Sequence, residues 1–246
     1  MFSLYNTVLI CSSCVFFSLF LGLLVSFTVP LGKSLKQITG LVMEFSSGFT
    51  VAIVFLNIIP FAYSYLKVLE LIILLLLGVL ILMLTQEKLK YRYNSMSDDL
   101  RLSSTLRLIC ISFALTSVLK GVSVGTGLGH SLGFGIDFVI SFAICIFPDS
   151  LAIFMLNKTL KKTVFRRLVS CCALAVPVLI GSFFGAYLGH FNEIIFSRIL
   201  VLIGGVSLYL AVGEISIESK HLYKGRLIPI CNIAGMILGV TTVLFG

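Results

Sequence analysis

In a sequence as apolar as this one, the informative residues are the few that bring charge or lone pairs into hydrophobic runs. Lys120 and Asp149 are two of them, each near the middle of an apolar stretch. A charge at bilayer depth costs at least about 2.5–3.5 kcal/mol on insertion scales, so it needs a partner, a cavity or a task. Thr116 stands four residues before Lys120, and Cys145 four before Asp149. On helices, each pair therefore shares a face. Where those faces meet, an ammonium, a carboxylate, the hydroxyls of Thr116 and Ser117 and a thiol come together as a candidate substrate or ion pathway. Three uses stay open. One is a buried Lys120–Asp149 ion pair that fixes two helices. Another is ligand binding or proton coupling through the lysine. The third is a metal site in which Cys145 and Asp149 join other ligands. Zinc prefers three or four Cys, His or carboxylate ligands. A second positive charge at about 4 Å from an ammonium costs about 4 kcal/mol at an effective dielectric near 20. The reading this favours puts the Lys120 ammonium in the place of a cation, neutralising Asp149.

Other chemistry is sparse. The cysteines at 11, 14, 110, 145, 171, 172 and 231 all fall within apolar runs, where cysteine commonly serves as a small buried residue. Cys11 and Cys14 form a CxxC with no second pair. The histidines at 130, 190 and 221 stand at the ends of apolar runs, as boundary residues do. Neither HExxH nor GxSxG occurs, and no serine–histidine pair or paired intramembrane aspartates stand out, so no enzyme is expected.

The elements that must carry these residues are membrane helices. The chain is 59% hydrophobic and 11% charged, with a mean hydropathy of +1.14. A soluble domain of this length could not hide that much apolar surface. The apolar runs place eight spans at 4–29, 38–63, 68–85, 105–128, 134–156, 168–189, 193–214 and 228–245. The fold class is thus an all-α membrane protein, a single polytopic domain over 1–246, with spans four and five central. The one long connection, 86–104, reads as a cytosolic loop, flexible or partly helical at the surface. The first span has no preceding Lys or Arg and is too long for a signal sequence, so it reads as an uncleaved helix. Glu44 lies one to two turns inside the second span, and either snorkels to the interface or faces an inner vestibule. The nearly pure Leu, Ile and Val of the third span predict a lipid-facing helix. Pro148 interrupts the fifth span and should free a backbone carbonyl there.

The formal net charge of +8 concerns orientation rather than nucleic acid. With the N-terminus outside, one side collects Lys33, Lys36, Lys88, Lys90, Arg92, Arg101, Arg107, Lys158, Lys161, Lys162, Arg166, Arg167, Lys220, Lys224 and Arg226. Lys67 and Arg198 fall on the other side, and Lys120 is embedded. This is the positive-inside signature, and it puts both termini outside the cytoplasm, in the cell membrane. Glycines in the second and seventh spans also suggest an inverted repeat of spans one to three against six to eight.

The chain resembles the ZIP family of divalent-metal transporters, chiefly the bacterial type, over nearly its whole length. LKQITGLVMEFSSGFTVAIVFLNIIPFAY looks like that family's first inner turn and second helix, with Gly48 and Pro60 at its typical glycine and proline. PDSLAIFMLNKTLKKTVFRRLVSCCALAVPVLIGSFFGAYLG looks like its fifth helix, basic turn and sixth helix, and LIGGVSLYLAVGEISIESKH like its seventh. The resemblance implies an eight-helix bundle that moves divalent metal as substrate. The family's ligands are a histidine, an asparagine and a glutamate in the fourth helix, and a histidine and a glutamate in the fifth. Aligned on Gly121 and Gly125, those fourth-helix positions hold Thr116, Ser117 and Lys120, with Leu119 at the family's proline. Aligned on Pro148, the fifth-helix positions hold Cys145 and Asp149, with Ile146 and Ser150 beside them. A further glutamate position in the sixth helix holds Val176. Only Cys145 and Asp149 remain as metal ligands of the usual kind, while Gly48, Gly121, Gly125 and Pro148 keep packing or hinge positions.

The function this implies is ZIP-like transport of a divalent metal (zinc, iron or manganese class) or another small cation, through an altered site. Two readings stay open beside it: a non-transporting binding or assembly protein of the same fold, and a carrier for a small organic ion. The lipid bilayer is the expected partner. A homodimer and a protein partner on the basic loops stay open too, and no cofactor is expected beyond a divalent metal as substrate.

Overall fold

The computed structural model describes residues 4–28, 33–90, 132–188 and 193–245, together with 110, 113, 114, 117, 118, 121, 122, 124 and 125. The protein is all-α, with no strand among the described residues, and its apolar helices make it a membrane protein. Among the described residues, three stretches are long and apolar enough to cross a bilayer, Leu35–Tyr63, Val164–Gly185 and Ser197–Leu222. Shorter apolar helices cover Ser13–Thr28, Val68–Leu84 and Leu227–Val243.

In chain order the helices are α1 (Leu4–Thr28), α2 (Lys33–Ile53), α3 (Ile59–Tyr63), α4 (Val68–Lys90), α5 (Leu132–Thr159), α6 (Val164–Leu188), α7 (Glu193–Leu208), α8 (Ser216–Leu222) and α9 (Leu227–Phe245). The described residues between 110 and 125 are also helical. A π-helical turn over Val54–Ile58 joins α2 to α3, and a second over Tyr209–Ile215 joins α7 to α8. Each pair is one continuous rod with a wide turn inside it.

Two boundaries correct the sequence reading. The third span ends later than residue 85: its helix continues to Lys90, so the start of the 86–104 connection is helical, and 91–104 lie outside the described residues. The fifth run extends to Thr159, which moves Lys158 from the basic loop into the last turn of α5, where it is buried. Its Nζ donates to the Ser26 carbonyl at 2.7 Å. Ser26 lies in the last turn of α1, whose carbonyls lack helical donors and carry the negative end of the helix dipole, so the ammonium caps that helix.

Glycine sets how closely the rods approach. A Cβ on Gly48 would overlap the carbonyl oxygen of Asn232, and one on Gly235 the carbonyl oxygen of Phe45, so α2 and α9 touch backbone to backbone. Likewise, a Cβ on Gly205 would overlap the carbonyl oxygen of Leu75, and one on Gly78 that of Leu202, so α7 and α4 do the same. Gly48 and Gly205 stand 157 residues apart, and so do Phe45 and Leu202, Leu75 and Asn232, and Gly78 and Gly235. Contact by contact, the second interface is the first with its partners exchanged.

The wide turns obey the same offset. The Ile59 N–H bonds to the Val54 carbonyl, and the Ser216 N–H to the Ala211 carbonyl, again 157 residues on. The two rods run antiparallel. Gly40 lies against Ser219 and Tyr223, Ser47 bonds to Ala211, and Gly204 at the other end meets Val54 and Ile58. Equivalent segments that run in opposite directions make an inverted repeat. Outside the rods, Gly22 of α1 seats on Ser150 and Leu151 of α5, while Gly181 and Gly185 of α6 seat on the backbone at Val118 and Val122.

Candidate functional site

Asp149 follows Pro148 on α5 and is 3% exposed. The helix runs unbroken through the proline, which has no N–H to offer the Ile144 carbonyl one turn back. Ser150 Oγ turns to the Phe147 carbonyl at 2.8 Å, and α1 closes over it at Gly22, where a side chain would collide with that hydroxyl. The carboxylate thus sits among tightly packed small groups.

Its donor comes from the second apolar run. Ser46 Oγ donates to Asp149 Oδ1 at 2.7 Å, and both residues are buried. The next residue points to the other repeat, where Ser47 Oγ donates to the Ala211 carbonyl at 2.9 Å. Ala211 lies within the second wide turn, and its carbonyl already accepts the Ser216 N–H. Adjacent serines therefore tie the α2–α3 rod to the buried carboxylate on one side and to the wide turn of its repeat mate on the other. An aspartate contact there sits one residue from the contact between repeats.

A second polar centre lies along α2. Glu44 is 3% exposed. Ser216 Oγ donates to its Oε1 at 3.0 Å, and Asn232 Nδ2 donates to the same oxygen at 3.0 Å. Ser219 Oγ meets Oε2. Neither snorkelling nor exposure to a vestibule describes this carboxyl: hydroxyls from α8 and an amide from α9 hold it inside the packing. Glu214 and Glu218 of the same rod are buried too, each with partners.

Of the residues that the sequence singles out, Asp149, Ser117, Gly48, Gly121, Gly125 and Pro148 are buried. Gly121 abuts the Val178 carbonyl and the Ser182 nitrogen of α6. Cys145 lies on α5, with its side chain outside the described part, and Thr116 and Lys120 lie outside the described residues. Val176 is exposed on α6. Among the described residues no group of three or more His, Cys, Asp or Glu is placed to hold a metal ion.

Sequence reasoning missed Ser46 as a partner of Asp149, and Ser216 and Ser219 as partners of Glu44. Serine is common in membrane packing, so type alone does not mark these. Polar residues buried at matching depths of two antiparallel runs were the available signal. No family model matches the chain, and no curated protein matches it either.

Proposed function

We propose that this is a ZIP-like membrane carrier of eight spans, moving a divalent metal (zinc, iron or manganese class) or another small cation past Asp149. The observation that carries the proposal is the inverted repeat: two antiparallel rods, each with a wide turn at the equivalent position, meeting beside a buried carboxylate. In secondary transporters, antiparallel repeats supply two related ways of packing one set of helices. Substrate sites lie at the repeat interface, where helices depart from regular geometry. The ZIP-like segments quoted above supply the cation class. The basic residues gathered towards one side support an orientation in the cell membrane with both termini outside the cytoplasm.

Within this reading, Asp149 supplies the negative charge and Ser46 orients it. A carboxylate at membrane depth tolerates a passing cation because the cation replaces the lost solvation. Lys120 and Cys145 are proposed to line the same path, with Thr116 and Ser117 contributing hydroxyl oxygens and the ammonium lowering the charge that the path will accept. Copies of the chain would pair as a homodimer within the bilayer.

The test is uptake into vesicles carrying the purified full-length chain, with labelled zinc, iron, manganese and small monovalent cations. Asp149→Asn should reduce uptake of the transported cation at least about tenfold, since one lost charge contact of 1.4 kcal/mol is already tenfold. Lys120→Glu should raise divalent-metal affinity. Folded protein that neither takes up nor binds any of these cations would overturn the proposal and leave a membrane assembly role, or an organic-ion carrier, in its place.

A further inference from the structure

The 157-residue offset lets each polar group of one rod be compared with its repeat mate. Around Glu44 the mates differ in kind. Glu44, Ser216, Ser219 and Asn232 correspond to Val201, Ile59, Ala62 and Leu75, which pack in one apolar cluster. Thr50 and Ser207 are mates as well, and there both keep a hydroxyl. Ser47 bonds to Ala211, and Gly204 meets Val54 and Ile58. Between those two contacts the antiparallel rods cross, and Thr50 and Ser207 stand at the crossing. Thr50 lies three residues from Ser47 and four from Val54, and Ser207 three from Gly204 and four from Ala211. Each is therefore on the face turned to the other rod.

Thr50 also stands four residues beyond Ser46, the donor to Asp149, so it shares the α2 face turned to α5. Ser117 stands four residues beyond Phe113, which belongs to a core cluster with Met43, Ile146, Val206 and Leu210. Buried hydroxyls in an apolar helix ordinarily bond to the carbonyl three or four residues back. Ser26, Thr39, Ser150, Thr159 and Ser182 all do so. Among the described residues Thr50, Ser117 and Ser207 make no hydrogen bond, although they are only 8%, 3% and 5% exposed. Ser197 is orphaned too, but it lies at the start of α7, away from the crossing. Burying a hydroxyl without a bond costs free energy. Together with Asp149, these three hydroxyls make an oxygen ligand set drawn from both rods, α5 and the fourth apolar run.

We propose that Thr50 and Ser207, with Ser117 and Asp149, bind a small, hard, monovalent cation of the sodium class where the rods cross. Hydroxyl and carboxylate oxygens suit hard cations, whereas zinc and its neighbours favour nitrogen and sulfur. Among the described residues no three His, Cys, Asp or Glu side chains gather to hold such a metal. One carboxylate balances one positive charge, and a dication would carry a second into the low dielectric. The crossing also explains why the hydroxyls are matched. Exchanging the packings of the two repeats carries Thr50 onto Ser207, so the cation keeps hydroxyl ligands as the rods swap roles. The assignment deepens the carrier reading above, from which it takes the place of Asp149 in a cation path.

Labelled sodium binding to the purified full chain in detergent tests this. Saturable binding is expected, with lithium competing and zinc and manganese not competing. Asp149→Asn should weaken it at least about tenfold. Thr50→Val and Ser207→Ala should each weaken it several-fold. Sodium, compared with an equal concentration of choline, should raise the unfolding temperature of the unsubstituted protein. Without sodium, Thr50→Val and Ser207→Ala should unfold at or above that protein's temperature, because each removes an unbonded hydroxyl. Both should gain less from sodium. No sodium binding, displacement of sodium by zinc, unchanged sodium affinity in both hydroxyl variants, or lowered stability of both without sodium would overturn the assignment. Zinc or manganese uptake that needs Asp149 yet ignores Thr50 and Ser207 would also overturn it, and would leave the carrier reading standing. Sodium bound as expected but taken up by no vesicles would remove the carrier reading and keep the site.

Discussion

Ser46 shows what a single hydroxyl decides. It donates to Asp149 from another helix, and its neighbour Ser47 donates to a carbonyl across the repeat interface. Ser47→Ala should destabilise by about 0.5–1.5 kcal/mol, the net worth of one hydrogen bond, because the Ala211 carbonyl keeps its backbone partner. Glu44→Ala should cost more, about 1–3 kcal/mol for each donor left without an acceptor, while Glu44→Gln should stay close to the unsubstituted protein. Thermal or denaturant unfolding in detergent ranks the three. At the rim the arithmetic reverses. Arg198 Nε meets Glu70 Oε1 at 2.6 Å, but the side chains are 50% and 35% exposed. Arg198→Ala should therefore shift stability by less than about 1 kcal/mol, and less still in high salt.

At the level of elements, glycines do what side chains cannot. Gly48, Gly205, Gly78 and Gly235 each bring one helix backbone onto a carbonyl of another. In a bilayer, where lipid tails compete with apolar side chains, such close packing supplies much of the association. Gly48→Val and Gly205→Val should each destabilise by about 1–3 kcal/mol or more through overpacking, and by similar amounts, because the two sites are repeat mates. A large inequality between them, measured by unfolding in the same detergent, would argue against the equivalence. These glycines were readable as small residues in apolar runs. Which carbonyl each would meet was not, since that depends on the rotation of a different helix. The same applies to Lys158, whose place among basic residues suggested a loop until the end of α1 supplied an acceptor.

Among the described residues, α2–α4 and α7–α9 form an inverted repeat packed against itself, and the sequence hides this well. The equivalent stretches share small residues and apolar character but few identities, because almost any apolar side chain satisfies a lipid-facing position. What the amino-acid sequence determined alone is the class: apolar content, run lengths and basic asymmetry dictate membrane helices, since neither a charge nor an unbonded peptide group is tolerated in hydrocarbon. It also marked Asp149 as a charge needing a partner, a cavity or a task, and Glu44 as an acid inside the second span. Tertiary structure decided what their partners are. A hydrogen bond needs two atoms within about 3 Å, and the partners of Asp149 and Glu44 lie more than a hundred residues away. Ser46 reaches Asp149 only where α2 packs on α5, and the groups around Glu44 meet only where α8 and α9 pack on α2, so that end is polar while its repeat mate is apolar.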